Sequence, residues 1–221
     1  MLTYAEELLL LALDDEKGTF VDTPMMSLEY ALVGALLMEL AIKKRIDADV
    51  DNLYLVDDSS TGDKLLDKAL NMIKQEDETK STHYWIKTIA NKFCNLKEYL
   101  LQRLIDKNIL KKEKHKILWV FCKRCYPVID DSEEQEVKTR IRKTILEDEI
   151  PDPRDIVLIS LIHICNLKKQ IFSKDEMEVA TERIEKISQM DLIAQAVSEA
   201  FSEVQNIIAK AISSTGFRPS P

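Results

Sequence analysis

Glycine and proline are scarce, 4 and 6 in 221 residues. So few of either exclude a loop-built, collagen-like or low-complexity chain. They also leave no phosphate-cradling glycine loop, because Gly18, Gly34, Gly62 and Gly216 stand far apart. Cysteine is sparse as well: Cys94, Cys122, Cys125 and Cys165 are too few for a secreted disulfide scaffold of this length and read as reduced core thiols. His83, His115 and His163 fall on separate predicted elements, and no Ser or Cys has a paired base nearby, so the sequence shows no catalytic constellation and points to binding. Long apolar runs are missing too. The longest candidate, 28–42, holds Glu29 and Glu39 and is too short for ~30 Å of hydrocarbon. Acids stand at Glu6 and Glu7, where a signal peptide would be positive, so a cytoplasmic location is expected.

What is present is a helix former's composition. Leu, Ile, Glu and Lys are abundant and lose little rotamer freedom in a helix, and a 45% hydrophobic content supports a real core. The expected fold is mainly α, a single compact multi-helix domain over residues 1–212 around an apolar central helix, with small β-hairpins and a flexible tail at 213–221. Thr3 and Glu6 have capping-box spacing. Leu8 to Leu13 reads equally as helix or strand, and Phe20-Val21 as a short strand beyond the turn at Gly18. The central helix is 28–45, apolar on most faces. A hairpin is expected around Asp51-Asn52, then a helix at 63–75, a short one beginning at Tyr84-Trp85-Ile86, and another at 96–107. Strands follow at 117–121 and 126–129, a helix capped by Ser132 reaches Asp148, and apolar and amphipathic helices cover 156–165, 174–188 and 191–212.

Several constellations have both a chemical and a plain reading. Cys122-Lys-Arg-Cys125 is a C-x-x-C without a second pair; zinc needs the fold to gather Cys94 and Cys165, and otherwise these are structural thiols. Asp47, Asp49 and Asp51 imitate the start of a calcium loop but lack its later Gly and bidentate Glu, so a solvated hairpin is the plainer reading. No metal or cofactor is assigned. His163, inside an apolar helix, reads as a hydrogen-bonded core residue. The formal charge of −8 makes nucleic acid an unlikely partner, although a winged-helix-like module using Lys111 to Lys116 and Lys123-Arg124 stands as the alternative. Charge is uneven: nine Lys or Arg against three acids lie between Lys97 and Arg124, and Lys138, Arg140, Arg142 and Lys143 form a second basic cluster. Arg140 and Lys143, three apart on one helical face, have the spacing to fork around a phosphate, or else they pair with Glu134, Glu136 or Glu147.

Taken in order, the segments resemble the Golgi phosphoprotein 3 family. The stretches are 2–18 (LTYAEELLLLALDDEKG), 31–41 (ALVGALLMELA), 61–70 (TGDKLLDKAL), 103–110 (RLIDKNIL), Tyr126-Pro127, 137–143 (VKTRIRK) and 180–183 (ATER). The resemblance implies a compact helical domain and a non-enzymatic peripheral membrane adaptor that reads phosphatidylinositol 4-phosphate on the cytosolic face of the Golgi. It implies contacts to tails of membrane enzymes and self-association. The family's headgroup pocket uses a loop Trp, a central-helix Arg and two basic residues of a later helix. The later pair is aligned here with Arg140 and Lys143, flanked by Lys138 and Arg142, while Val33 and Pro24 stand where the Arg and Trp would be. The family's protruding apolar hairpin is aligned with 166–176, around Ile171 and Phe172. The chain begins at the first helix without the basic arm through which eukaryotic members engage coatomer, so coatomer is not expected, and the likeness is closer to bacterial and archaeal members.

Overall fold

The computed structural model describes the backbone of residues 2–14, 17–117, 121–147, 149–190 and 192–214, and their side chains except those of 114–124 and 204–214. The fold is mainly helical. In chain order come α1 (Tyr4–Leu11), α2 (Ser27–Ile42), β1 (Ile46–Ala48), β2 (Leu53–Leu55), α3 (Lys64–Lys74), α4 (Thr82–Lys92) and α5 (Leu96–Asp106). Then follow β3 (Glu113–Ile117), β4 (Phe121–Cys125), α6 (Ser132–Leu146), α7 (Pro153–Ile164), a 3-10 turn (Leu167–Gln170), α8 (Met177–Ser188) and α9 (Leu192–Ser214).

Two helices form the centre. Every residue of α1 is buried, as are most of α2, whose apolar side chains point in all directions. A helix greasy all round finds no solvent face, so it must be wrapped. Helices α1, α4, α7 and α9 all pack on α2. The approach to α9 is tight at Gly34, where an added Cβ would lie 2.5 Å from Val197 Cγ2. One continuous core runs from Leu2 to Ala200.

Local signals explain the element ends. Thr3 caps α1 in a reciprocal box with Glu6, its backbone N–H donating to Glu6 Oε2 at 2.8 Å. Leu8 to Leu11 are therefore helical, and Leu13 pairs with Phe20 in an isolated bridge in place of the expected strand at Phe20-Val21. Gly18 takes φ +58°, and its carbonyl accepts from Tyr126 N–H at 2.6 Å, fastening this turn to the end of β4. β1 and β2 pair antiparallel, and the Asp49 carboxylate holds their turn by accepting from the N–H groups of Asp51 and Asn52 and from the Tyr54 hydroxyl. That carboxylate is occupied by the turn. Asp63 caps α3 and Asp152 caps α7, with Pro153 in its first turn.

Four expectations need correction. The second hairpin pairs 113–117 with 121–125, not 117–121 with 126–129, because Leu110 and Val128 already bridge outside it. Helix α6 has Asp131 at its N-cap, without a side-chain bond, and Ser132 is its first residue. The Asp130 carboxylate accepts from the Ser132 N–H, which removes the need for a serine cap. The segment 166–176 is no protruding hairpin: it coils into a 3-10 turn with Ile171 7% and Phe172 4% exposed, both in the core. The period-two alternation of a hairpin is absent there, and the two apolar residues take the core in preference to water. His163 is half-buried and its Nδ1 has no partner among the described residues, so it is not a hydrogen-bonded core residue. The far end of α6 at Asp148 and the tail at 215–221 lie outside the described residues.

Candidate functional site

The basic strip of α6 is the site expected from sequence, and its four cations have separate fates. Arg140 turns inward. Its Nη2 donates to Glu7 Oε2 at 3.3 Å, and its Nε lies 2.8 Å from Asp155 Oδ1, an ion pair not aligned as a hydrogen bond. Glu7 is shared with Arg154, at 2.7 Å. Burial raises the carboxyl pKa of both Glu7 and Asp155, against the pull of their arginines. Arg142 grips Glu176 with two nitrogens, at 2.6 and 2.9 Å, and donates also to the Ile171 carbonyl. The Arg142 hydrogen bonds, with the Ser173 N–H, pull Glu176 down to about 2. Lys138 lies 2.7 Å from the buried Glu134. Only Lys143 of the four is exposed and without an ion pair among the described residues.

Arg140 and Lys143 therefore form no open fork. The acids that claim this strip lie mostly far off in sequence: Glu7, Asp155 and Glu176. Only Glu134, one helical turn before Lys138, and Glu136, one turn before Arg140 at 3.8 Å, were foreseeable.

Glu6 anchors a parallel network on the other side of α1. It is fully buried and accepts from Arg103 Nε at 2.9 Å and Lys107 Nζ at 2.8 Å, while Arg103 also bonds Asp63. Burial would raise its pKa, but the bonds from Lys107 and Thr3 and the charge of Arg103 outweigh it, and Glu6 stays below the ordinary value.

Two adjoining cavities flank the junction of α4 and α5. The smaller, 200 Å³, has Met26, Glu29, Val33, Cys94 and Lys97 in its walls. Val33 of the central helix, itself fully buried, backs this cavity. Neither Arg140 nor Lys143 is among its walls. The basic residue facing Val33 is Lys97 of α5, whose ammonium is bonded to Glu29 and lies 5.7 Å from the Phe20 ring centre. At this cavity α5 is the later helix beside the central one, and α6 supplies no wall.

The larger cavity, 360 Å³, lies between α3, the end of α4 and the start of α5. Its walls include Lys64, Lys68, Lys92 and Tyr99 over the buried Leu65, Phe93 and Leu96. No acid is among its walls. All three lysines are exposed, and none has an ion pair among the described residues. Lys68 Nζ stands 4.4 Å from the Phe93 ring centre.

The family model described as Golgi phosphoprotein 3 (GPP34) matches residues 5–204. The chain belongs to the Golgi phosphoprotein 3 family. Within that family, vacuolar protein sorting-associated protein 74 of Schizosaccharomyces pombe is 34% identical over 161 residues, 63% of this chain and 47% of that protein. The match thus spans about half the length of that relative.

The cluster Lys64, Lys68 and Lys92 escaped the sequence reading because its members sit on two helices. One signal was available. Lys64 and Lys68 are four apart on a helix, a like-charge spacing that costs a few tenths of a kcal/mol. As for the winged-helix alternative, Lys111 is paired with Glu113 at 2.8 Å, and the side chains of 114–124, with those of Cys122, Lys123 and Arg124, lie outside the described residues. Cys125 and Cys165 are buried while Cys94 is exposed, and no group of three His, Cys, Asp or Glu among the described residues is placed to hold a metal.

Proposed function

We propose that this chain is a non-enzymatic peripheral-membrane adaptor that docks on an anionic leaflet by reading a phosphorylated lipid headgroup, phosphatidylinositol 4-phosphate where the membrane is Golgi. Membership of the Golgi phosphoprotein 3 family across 5–204 carries the reading. A docking protein needs an exposed cationic surface and no chemistry of its own. Among the described residues no helix is long and apolar enough to cross a membrane. Burial pushes the Cys165 thiol up to about 12, which keeps it protonated and unreactive at neutral pH. His83 is paired with Glu203 at 3.1 Å, on the contact between α4 and α9.

Tails of membrane enzymes and a second copy of the chain belong to the same proposal as its partners. The reading also holds for a cell without a Golgi, since it asks only for an anionic cytosolic leaflet. On α6, Lys143 is the residue left to meet that leaflet, and Arg140 acts in the fold.

Vesicle co-sedimentation tests the reading. Binding is expected to phosphatidylcholine vesicles doped with phosphatidylinositol 4-phosphate and not to undoped ones. Lys143→Ala should weaken it roughly fivefold, the share of about 1 kcal/mol that one surface lysine contributes. Equal sedimentation with doped and undoped vesicles would reject the proposal.

A further inference from the structure

We infer that the 360 Å³ cavity beside the α4–α5 junction is a receptor for an anionic amphiphile, the phosphate of a membrane lipid on its lysines and the adjoining apolar atoms on its floor. Three observations converge on it. First, Lys64, Lys68 and Lys92 all line the cavity with no carboxylate in its walls, in a chain whose net charge is −8. Most described arginines and many lysines elsewhere have found an acid, as Lys87 has Glu203 and Lys97 has Glu29. Like charges kept together without compensation raise the local potential, and a dianion is the species that relieves it. Second, the floor is apolar: Leu65, Phe93 and Leu96 are each under 9% exposed yet line the cavity. A site for a free inorganic anion has no use for such a floor, whereas a phosphate ester attached to glycerol and acyl carbons covers it. Third, the neighbouring cavity is unsuited to the same anion, because Glu29 already holds Lys97 and would repel a phosphate there.

The inference rests on the membrane reading in one respect, that the anion belongs to a lipid. It differs from that reading in naming α3 and α4 as the contact, residues that neither the α6 strip nor the central helix supplies.

Cys94 gives a local reporter. It is exposed and lies in the cavity wall, so an occupant shields its thiol. The experiment follows alkylation of Cys94 by peptide mass spectrometry, beside vesicle co-sedimentation. It uses the full chain and the triple variant Lys64→Gln, Lys68→Gln, Lys92→Gln, all at exposed positions, with circular dichroism to check that the two fold alike. Dihexanoyl phosphatidic acid is expected to slow alkylation in the wild type, and the triple variant should need on the order of 100-fold more lipid. Inorganic phosphate at the same concentration should leave the rate unchanged. An unchanged rate with the lipid overturns the inference, and so does equal shielding by inorganic phosphate. If wild type and triple variant sediment alike on anionic vesicles with Cys94 still reactive, the cavity assignment falls and the membrane reading stands. If the soluble lipid shields Cys94 in the wild type and not in the triple variant but no vesicle is bound, the cavity assignment stands and the membrane reading falls.

Discussion

Arg140 reaches carboxylates on three elements: Glu7 of α1, Asp155 of α7 and, at 3.8 Å, Glu136 of its own helix. Two of those acids are nearly inaccessible, so the guanidinium neutralises charge that the fold has taken out of water. Removing one partner of such a pair leaves an uncompensated buried charge and costs about 3–5 kcal/mol. Arg140→Ala should therefore lower the urea midpoint by that equivalent, while lipid binding per folded molecule stays within twofold. Glu176 behaves differently because it sits at the surface. Its folded pKa, about 2, lies below its ordinary 4.5, so the stability it contributes is present above 4.5 and is lost as pH falls toward 2. Burial shifts Glu7 and Asp155 upward, so their contribution has the opposite sense, present below their ordinary values and lost as pH rises through the folded ones. Urea midpoints measured from pH 7 downward should hold or rise slightly at first, then fall between 4.5 and 2. Glu176→Gln should flatten that fall.

Among the elements, α1 shows how much local sequence dictates and where it stops. Thr3 and Glu6 announce the helix start, and the capping box forms as the spacing predicts. The apolar run after it could not be assigned from periodicity, since a short run buried on all sides has no polar face to set a period. That Glu6 and Glu7 are buried was also hidden: their partners Arg103, Lys107, Arg140 and Arg154 lie about a hundred residues or more away. The central helix α2 was legible for the opposite reason, as 16 residues offer enough turns to show apolar side chains all round. Its crossing with α9 depends on Gly34. Gly34→Ala would place a methyl 2.5 Å from Val197 Cγ2, and overpacking of this kind costs about 1–3 kcal/mol. Val197→Ala opens the same space, so the double variant should be more stable than the sum of the two single losses implies, as read in thermal denaturation. The 166–176 segment misled because Lys168, Lys169 and Lys174 around Ile171 and Phe172 look like an exposed turn. The lysines do face outward, but the two apolar side chains fold back under them.

Over the whole molecule, the candidate site was the least readable part. Sequence shows charge density along the chain, which favoured the α6 strip, whereas a binding surface depends on which cations are left without acids after folding. The strip of 138–142 is largely consumed by Glu134, Glu7, Asp155 and Glu176, whereas Lys143 and the cluster on α3 and α4 have no ion pair among the described residues. In a chain of net charge −8, such a cluster is a local patch of attraction for an anionic surface on a body whose overall charge repels it. Its attraction should therefore be oriented and strongly screened, because the Debye length shrinks from ~10 Å at 0.1 M salt to ~3 Å at 1 M. The most direct measurement is partitioning onto anionic vesicles as salt is raised from 0.05 to about 0.5 M, a range chosen to cross that screening length. Affinity should fall steeply and evenly with salt for the wild type, and the Lys64, Lys68, Lys92 triple variant should start low and show a flatter slope. Partitioning that persists at high salt, or that is as strong on neutral vesicles, would contradict electrostatic docking on an anionic leaflet.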